Sequence, residues 1–146
     1  MVTTLAKNRK AFHDYQVIER YEAGIELLGT EVKSSRARNI SLADAHASIE
    51  NGEVWLQGVH IAPFTQGNRS NHEPRRSRRL LLHKHEIRKL QQATQAKGMT
   101  LVPLKFFLKH RRVKVEIGLC RGKAKHDKRE TLKRKIHDRE TQQALR

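Results

Sequence analysis

The sequence predicts a mainly β fold with flanking helices: an antiparallel barrel followed by a basic tail. Three observations carry this expectation. Val113, Val115, Ile117 and Leu119 alternate with Lys114, Glu116 and Gly118, the period-two pattern of a strand with one face in a core. Asn51-Gly52 separates Ala47 and Ile49 from Val54 and Leu56, and this dipeptide accepts the φ > 0 turn that joins twisted antiparallel strands. One long segment, His83 to Lys97, spaces Ile87, Leu90 and Ala93 as a helix does, with Gly98 placed to cap it.

Taken in chain order, residues 1–10 are polar and are expected to be loose. Tyr15 to Leu28 reads as two strands broken near Glu22-Ala23-Gly24. A short helix is predicted over Val32 to Arg38, with Gly29 just ahead of it. The Asn51-Gly52 hairpin spans Ala47 to Val59. His60 to Pro74, with Pro63, Gly67, Asn68 and Asn71 and few apolar residues, is expected to be one long loop, functional or mobile. After the helix, Thr100 to Phe107 is apolar enough for a buried strand, and Lys109 to Arg112 would turn it into the Val113–Leu119 strand. Five or six antiparallel strands with one clear helix describe a small barrel of the kind that includes the oligonucleotide-binding OB fold.

The 146 residues suit one domain. Residues 1–120 are expected to form the barrel and 121–146 a basic tail. That tail carries ten Lys and Arg against four acids, with Leu132, Ile136 and Leu145 as its only large apolar side chains. It cannot bury enough surface to offset its ordering entropy, so it is expected to be disordered when free. Leu132 and Ile136, and Glu130 and Arg134, stand four apart, which would support a helix once a polyanion neutralises the segment.

Charge narrows the partner class. There are 31 Lys+Arg against 15 Asp+Glu, a formal net of +16. Such a chain attracts polyanions, nucleic acid foremost. A membrane surface is the rival, but it needs a basic amphipathic helix with a strong apolar face, and none is evident. No stretch approaches 18 apolar residues, and Met1 to Lys10 has no signal-peptide core. A soluble, cytoplasmic, monomeric protein is expected. Cys120 is the single cysteine, so an intrachain disulfide is excluded.

The strongest local signal is Arg75, Arg76, Arg78 and Arg79, followed by Lys84, Arg88 and Lys89. Arginines at this density, next to a helix start, suit bidentate phosphate contact, although their spacing does not separate RNA from DNA. Nine histidines are scattered through the chain. His83-x-His85 is the nearest approach to metal spacing, but it lacks a second pair, and at i, i+2 on a helix the two rings would diverge. His126-Asp127 has the composition of a general base with its orienting carboxylate, yet no nucleophile accompanies it. No catalytic residue, metal or cofactor is therefore expected. A ribosomal protein and a His-based ribonuclease remain the alternatives at this level.

The ordered motifs resemble a specific family. These are Asn8-Arg9-Lys10-Ala11 with Tyr15, Tyr21-Glu22-Ala23-Gly24-Ile25, Gly29-Thr30-Glu31-Val32-Lys33-Ser34, Glu50-Asn51-Gly52-Glu53-Val54-Trp55-Leu56 and Gly67-Asn68-Arg69. Leu80-Leu81-Leu82-His83-Lys84, Leu101-Val102-Pro103-Leu104-Lys105, and Gly122-Lys123 with Asp127-Lys128-Arg129-Glu130-Thr131 continue the series. Together, over about residues 8 to 135, they resemble the SsrA-binding proteins, the small protein B family of bacterial trans-translation. The resemblance implies an OB-fold barrel that holds the tRNA-like domain of transfer-messenger RNA (tmRNA, or SsrA RNA) and delivers it to stalled 70S ribosomes. Elongation factor Tu and alanyl-tRNA synthetase would share that RNA. Asn8, Glu22, Leu81, His83 and Lys114 match the family's RNA contacts. Gly122, Lys123, His126, Asp127, Lys128 and Arg129 match the tail segment that enters the small subunit's decoding centre and vacant mRNA channel and becomes helical there. Two positions depart from the family pattern: Ser35-Arg36-Ala37-Arg38 stands where Leu-Arg-Ala-Gly is usual, and Ala124 replaces a second Lys.

Overall fold

The computed structural model describes residues 2–64 and 71–122. Its elements in order are β1 (Val2–Lys7), α1 (Arg9–Asp14), β2 (Tyr15–Ile25), α2 (Gly29–Arg36), β3 (Ile40–Ser41), β4 (His46–Glu50) and β5 (Glu53–Gln57). There follow β6 (His60–Ile61), β7 (Arg78–Leu81), α3 (Lys84–Thr94), β8 (Met99–Lys109) and β9 (Arg112–Gly122). Pairing runs β4–β5–β7–β2–β9–β8, and β8 returns to β4, so the antiparallel sheet closes on itself. β1 is added to β8 outside the ring. The expected mainly β barrel with flanking helices is what the chain forms. Closure removes most free strand edges, which a small all-β domain must otherwise protect.

The barrel core is built from alternate residues. Val54 and Leu56 of β5, Leu80 of β7 and Val115 and Ile117 of β9 are buried inside it, and Leu90 of α3 covers one end. A second cluster lies on the outer face, where Ala11 of α1 packs on Val102, Leu104 and Cys120. Two bulges let single strands serve both clusters. In β8 the register shifts between Pro103 and Lys105, so Leu101 and Phe106 both face inward although they are an odd number of residues apart. In β2 it shifts between Val17 and Glu19, so Val17 joins the outer cluster while Tyr21 packs on the barrel core.

Several expectations are corrected here. Residues 2–7 are not loose: β1 pairs with Lys105–Lys109 of β8 and buries Leu5. Tyr15–Ile25 is one strand, and its irregularity is the bulge at Ile18, well before Glu22. The second helix begins at Gly29, because the Glu31 carboxylate accepts the Leu28 N–H at 2.8 Å and so satisfies a helix-start donor. It ends at Arg36, and the chain turns through Arg38 at φ +65°. That is the position the resemblance assigns to glycine. The long loop contains β6, which pairs with β3, and Asn71 clasps both backbone groups of Phe64 at 3.0 and 2.7 Å. The Gly67-Asn68-Arg69 motif lies outside the described residues.

The hairpins match expectation. Asn51 and Gly52 both take positive φ, +52° and +76°, and β4 pairs with β5 across them. His110 and Arg111 do the same at +52° and +64°, without a glycine, between β8 and β9. The β9 strand continues past Cys120 through Arg121 and Gly122, which pair with Gln16 and Tyr15 of β2.

Candidate nucleic-acid interface

Strand register assembles the site. Gly24 of β2 pairs with Leu81 of β7 on one side and with Lys114 of β9 on the other, so the three form one row across the outer face. Glu22 lies on the same face of β2, two residues along. Its carboxylate meets Lys114 Nζ at 3.5 Å and Lys109 Nζ at 3.2 Å. The hydrogen bond from Lys109, with the charges of Lys109 and Lys114, holds the Glu22 carboxyl below the usual carboxylate range. Glu22 is therefore an anion at neutral pH that fixes two lysine heads.

Beside this row is a groove of about 470 Å³. Its walls are Ile25, Leu27, Val32, Leu81 and Val113, and its rim is Arg111, Arg112 and Lys114. Gly24 keeps the floor low: a Cβ there would come within 3.2 Å of the Leu81 Cβ. Leu81 is half exposed, at 45%. A large apolar side chain in that position, ringed by cations, is suited to contact a base face while the rim holds phosphates. His83 follows Leu81 closely and caps α3, where its N–H donates to Glu86 Oε1 at 3.1 Å. Because His83 is extended rather than helical, its ring does not diverge from that of His85; the two stack with centroids 5.6 Å apart.

The arginine cluster divides in two. Arg78 is fully buried, so the expectation that it contacts phosphate is corrected. Its Nε donates to Glu31 Oε2 at 2.5 Å, Nη1 to the Val59 carbonyl at 3.0 Å and Nη2 to the Pro74 carbonyl at 3.0 Å. Arg76 turns inward as well, donating to Glu31 Oε1 at 2.6 Å and to the Glu26 carbonyl at 3.3 Å. Burial alone would raise the Glu31 carboxyl, but donors from Arg76, the Leu28 backbone and Arg78 together hold it below its ordinary value. These two arginines tie α2 to β7 and to the loop after β6. Arg75 and Arg79 stay on the surface; Arg79 rests between Glu26 at 3.4 Å and Glu53 at 3.8 Å.

Asn8 is also internal. It is 5% exposed and caps α1: its Oδ1 accepts the Ala11 N–H at 3.1 Å, and its Nδ2 donates to the carbonyls of Pro103 at 2.9 Å and Leu42 at 3.3 Å. It positions α1 rather than presenting a free amide. Of the tail residues, Gly122 closes β9, and Lys123, His126, Asp127, Lys128 and Arg129 lie outside the described residues. The structure thus brings Glu22, Leu81 and Lys114 together, with His83 nearby in the chain, and separates them from Arg78. Lys109 to Arg112 is a turn by sequence alone; the alternation that identifies β9 puts Lys114 outward, and the hairpin tip that continues it carries Lys109, Arg111 and Arg112 to the same site. Among the described residues there is no group of three His, Cys, Asp or Glu side chains able to hold a metal, and no helix is long and apolar enough to cross a membrane.

A closed, strongly basic barrel whose outer face carries a lysine–carboxylate cluster beside a cation-rimmed apolar groove is the architecture of a small nucleic-acid-binding protein. Comparison with known proteins narrows that class. A family model described as SmpB protein matches residues 5–146. An SsrA-binding protein of Carboxydothermus hydrogenoformans is 53% identical over 146 residues, covering 100% of this chain and 98% of its own length. One from Levilactobacillus brevis is 59% identical over 136 residues, covering 93% and 87%. A solved structure described as "tmRNA-SmpB: a journey to the center of the bacterial ribosome" superposes with a TM-score of 0.70 at 50% identity, covering 82% of this chain and 85% of its own. The chain belongs to the SmpB family of SsrA-binding proteins.

Proposed function

We propose that this chain is the tmRNA-binding adaptor of trans-translation. The barrel holds the tRNA-like domain of tmRNA and brings it to stalled ribosomes, and the tail enters the empty mRNA channel, so that the nascent peptide is tagged and the ribosome released. The observation that carries the reading is near-full-length similarity to SsrA-binding proteins and to a tmRNA–SmpB structure. The face of Glu22, Leu81, Lys114 and His83, with Arg75 and Arg79 along the surface, supplies the RNA contacts. Asn8 acts indirectly, by holding α1 in place. The chain performs no covalent step; elongation factor Tu and alanyl-tRNA synthetase act on the same RNA, and the adaptor works as a cytoplasmic monomer.

The division of labour follows from charge. An mRNA channel is lined with phosphates, so the segment after Gly122, with nine cations and four acids, occupies it when mRNA is absent. Because Arg121 and Gly122 belong to β9, the informative truncation removes 123–146. That variant retains affinity for the tRNA-like domain and loses tagging of stalled peptides; tagging by the truncated chain refutes the role given to the tail. Sequencing the RNA recovered with the protein from cells tests the barrel, with tmRNA the expected dominant species. Recovery at ribosomal stoichiometry in salt-washed 70S particles would instead identify a ribosomal protein, and cleavage of the RNA on incubation, lost in His126→Ala, an enzyme. Neutralising about 5–8 phosphates gives a log–log salt slope of about −4 to −7.

A further inference from the structure

A second carboxylate stands directly opposite Glu22. Glu22 of β2 and Glu116 of β9 are cross-strand partners on the outer face. Like charges so placed destabilise a sheet. Here each is bracketed by two cations: Glu22 by Lys109 and Lys114, and Glu116 by Arg20 at 3.2 Å and Lys105 at 3.7 Å. The Glu116 unit spans three strands, from Arg20 on β2 through β9 to Lys105 on β8. Both of its cations are also seated on rings. The Arg20 guanidinium lies 5.5 Å from the centroid of half-exposed Phe12, and Lys105 Nζ lies 5.3 Å from that of buried Phe107.

Folding stability does not account for the Arg20 contact. Arg20 is 57% exposed, and ion pairs of that exposure contribute little. What the arrangement does achieve is a fixed position for each cation. A guanidinium has five N–H donors and an ammonium three, so one contact to a carboxylate leaves donors directed at solvent.

We propose that Glu116 is a second positioning residue of the RNA-binding face, holding Arg20 and Lys105 for a stretch of phosphodiester backbone continuous with that held at Glu22. The inference rests on the reading that the Glu22–Lys114 end of this face contacts RNA. It predicts the opposite sign from bulk electrostatics. Glu116→Gln adds one unit of positive charge, which by itself strengthens attraction to RNA. Freeing two side chains that binding must then immobilise weakens it, by about fivefold.

The test uses the full-length chain and the tRNA-like domain of tmRNA, with the dissociation constant measured against salt for Glu116→Gln, Arg20→Ala, Lys105→Ala and Lys114→Ala. The proposal expects weaker binding by Glu116→Gln once the dissociation constant is corrected for the folded fraction. It also expects Arg20→Ala and Lys105→Ala each to flatten the log–log slope by about 0.7–0.9, one phosphate contact apiece. Tighter or equal binding by Glu116→Gln, with Lys114→Ala weakened, overturns the role of Glu116 and leaves the Glu22 reading standing. Unweakened binding by Lys114→Ala overturns that reading, and this inference with it. Should Glu116→Gln fail to fold, the two alanine variants decide: unchanged slopes in both overturn the proposal.

Discussion

The sharpest consequence of the buried arginine concerns Glu31. Its carboxylate is fully buried and receives Arg78 at 2.5 Å, Arg76 at 2.6 Å and the Leu28 N–H at 2.8 Å. Glu31→Gln keeps the shape and removes the charge, which leaves the Arg78 guanidinium in the interior without a counter-ion. Breaking one side of such a pair costs about 3–5 kcal/mol. Arg76 is one-third exposed, so Arg76→Ala costs less, about 1 kcal/mol. A domain of this size has about 5–15 kcal/mol in total, so Glu31→Gln removes a large share of it. In a thermal melt followed by circular dichroism the shift is roughly 10–20 °C. In urea the midpoint falls while the m-value stays fixed. The RNA arm separates structure from contact: corrected for folded fraction, Arg78→Lys keeps the wild-type salt slope, because a fully buried guanidinium neutralises no phosphate. An unchanged melt for Glu31→Gln, or a slope flattened by Arg78→Lys in a fully folded protein, would refute the reasoning.

Three further outcomes follow from particular residues. Arg38 sits at φ +65° and is exposed, so Arg38→Gly relieves left-handed strain of about 1–2 kcal/mol, less the added freedom of the unfolded chain, and raises the melting temperature by about 3 °C; a lower melting temperature contradicts this. Gly118→Ala places a Cβ 2.9 Å from Leu104 Cδ1 and 3.0 Å from Cys120 Sγ, both buried, and is destabilising by about 1–3 kcal/mol in urea unfolding, whereas no loss would mean the outer cluster has room. The Glu31 carboxyl is depressed on folding from its ordinary 4.5, so its contribution is complete above that pH and is lost as pH falls through the lower folded value. The stability gap between wild type and Glu31→Gln therefore narrows below about pH 4.5; a constant gap shows that the carboxyl does not titrate with folding.

Periodicity made the barrel legible. β9 announces itself because every second residue from Val113 is apolar, and the Asn51-Gly52 turn fixes the β4–β5 register. What hid the rest was phase. The bulges at Ile18 and near Leu104 shift the inward parity within one strand. In β2 the small residues Ala23 and Gly24 read as a break, although Tyr21, Ala23 and Ile25 keep one phase on the core side. β1 has only Leu5 as a large core anchor and is held by its backbone ladder to β8, which leaves no hydrophobic signature. The same question of phase governs the arginine cluster. Four arginines in five residues look alike as a composition. On β7, however, Arg78 points with Leu80 into the barrel, and Arg79 points with Leu81 outward. Reading Arg-Arg-Leu-Leu as a strand would have separated them.

The formal +16 is thus a poor measure of the surface that meets RNA. Arg78 and Arg76 are committed to Glu31, and their charge serves the joint between α2 and β7. On the outer face the acids at 22 and 116 subtract from the net charge yet each fixes a pair of cations. For a protein that must select one folded RNA among many polyanions, excess charge raises affinity for all of them alike, whereas cations at set positions favour the backbone whose phosphates match. Carboxylates within a basic face therefore exchange general attraction for geometry. Specificity on this barrel should accordingly follow the carboxylate-held cations more closely than the total number of lysines and arginines.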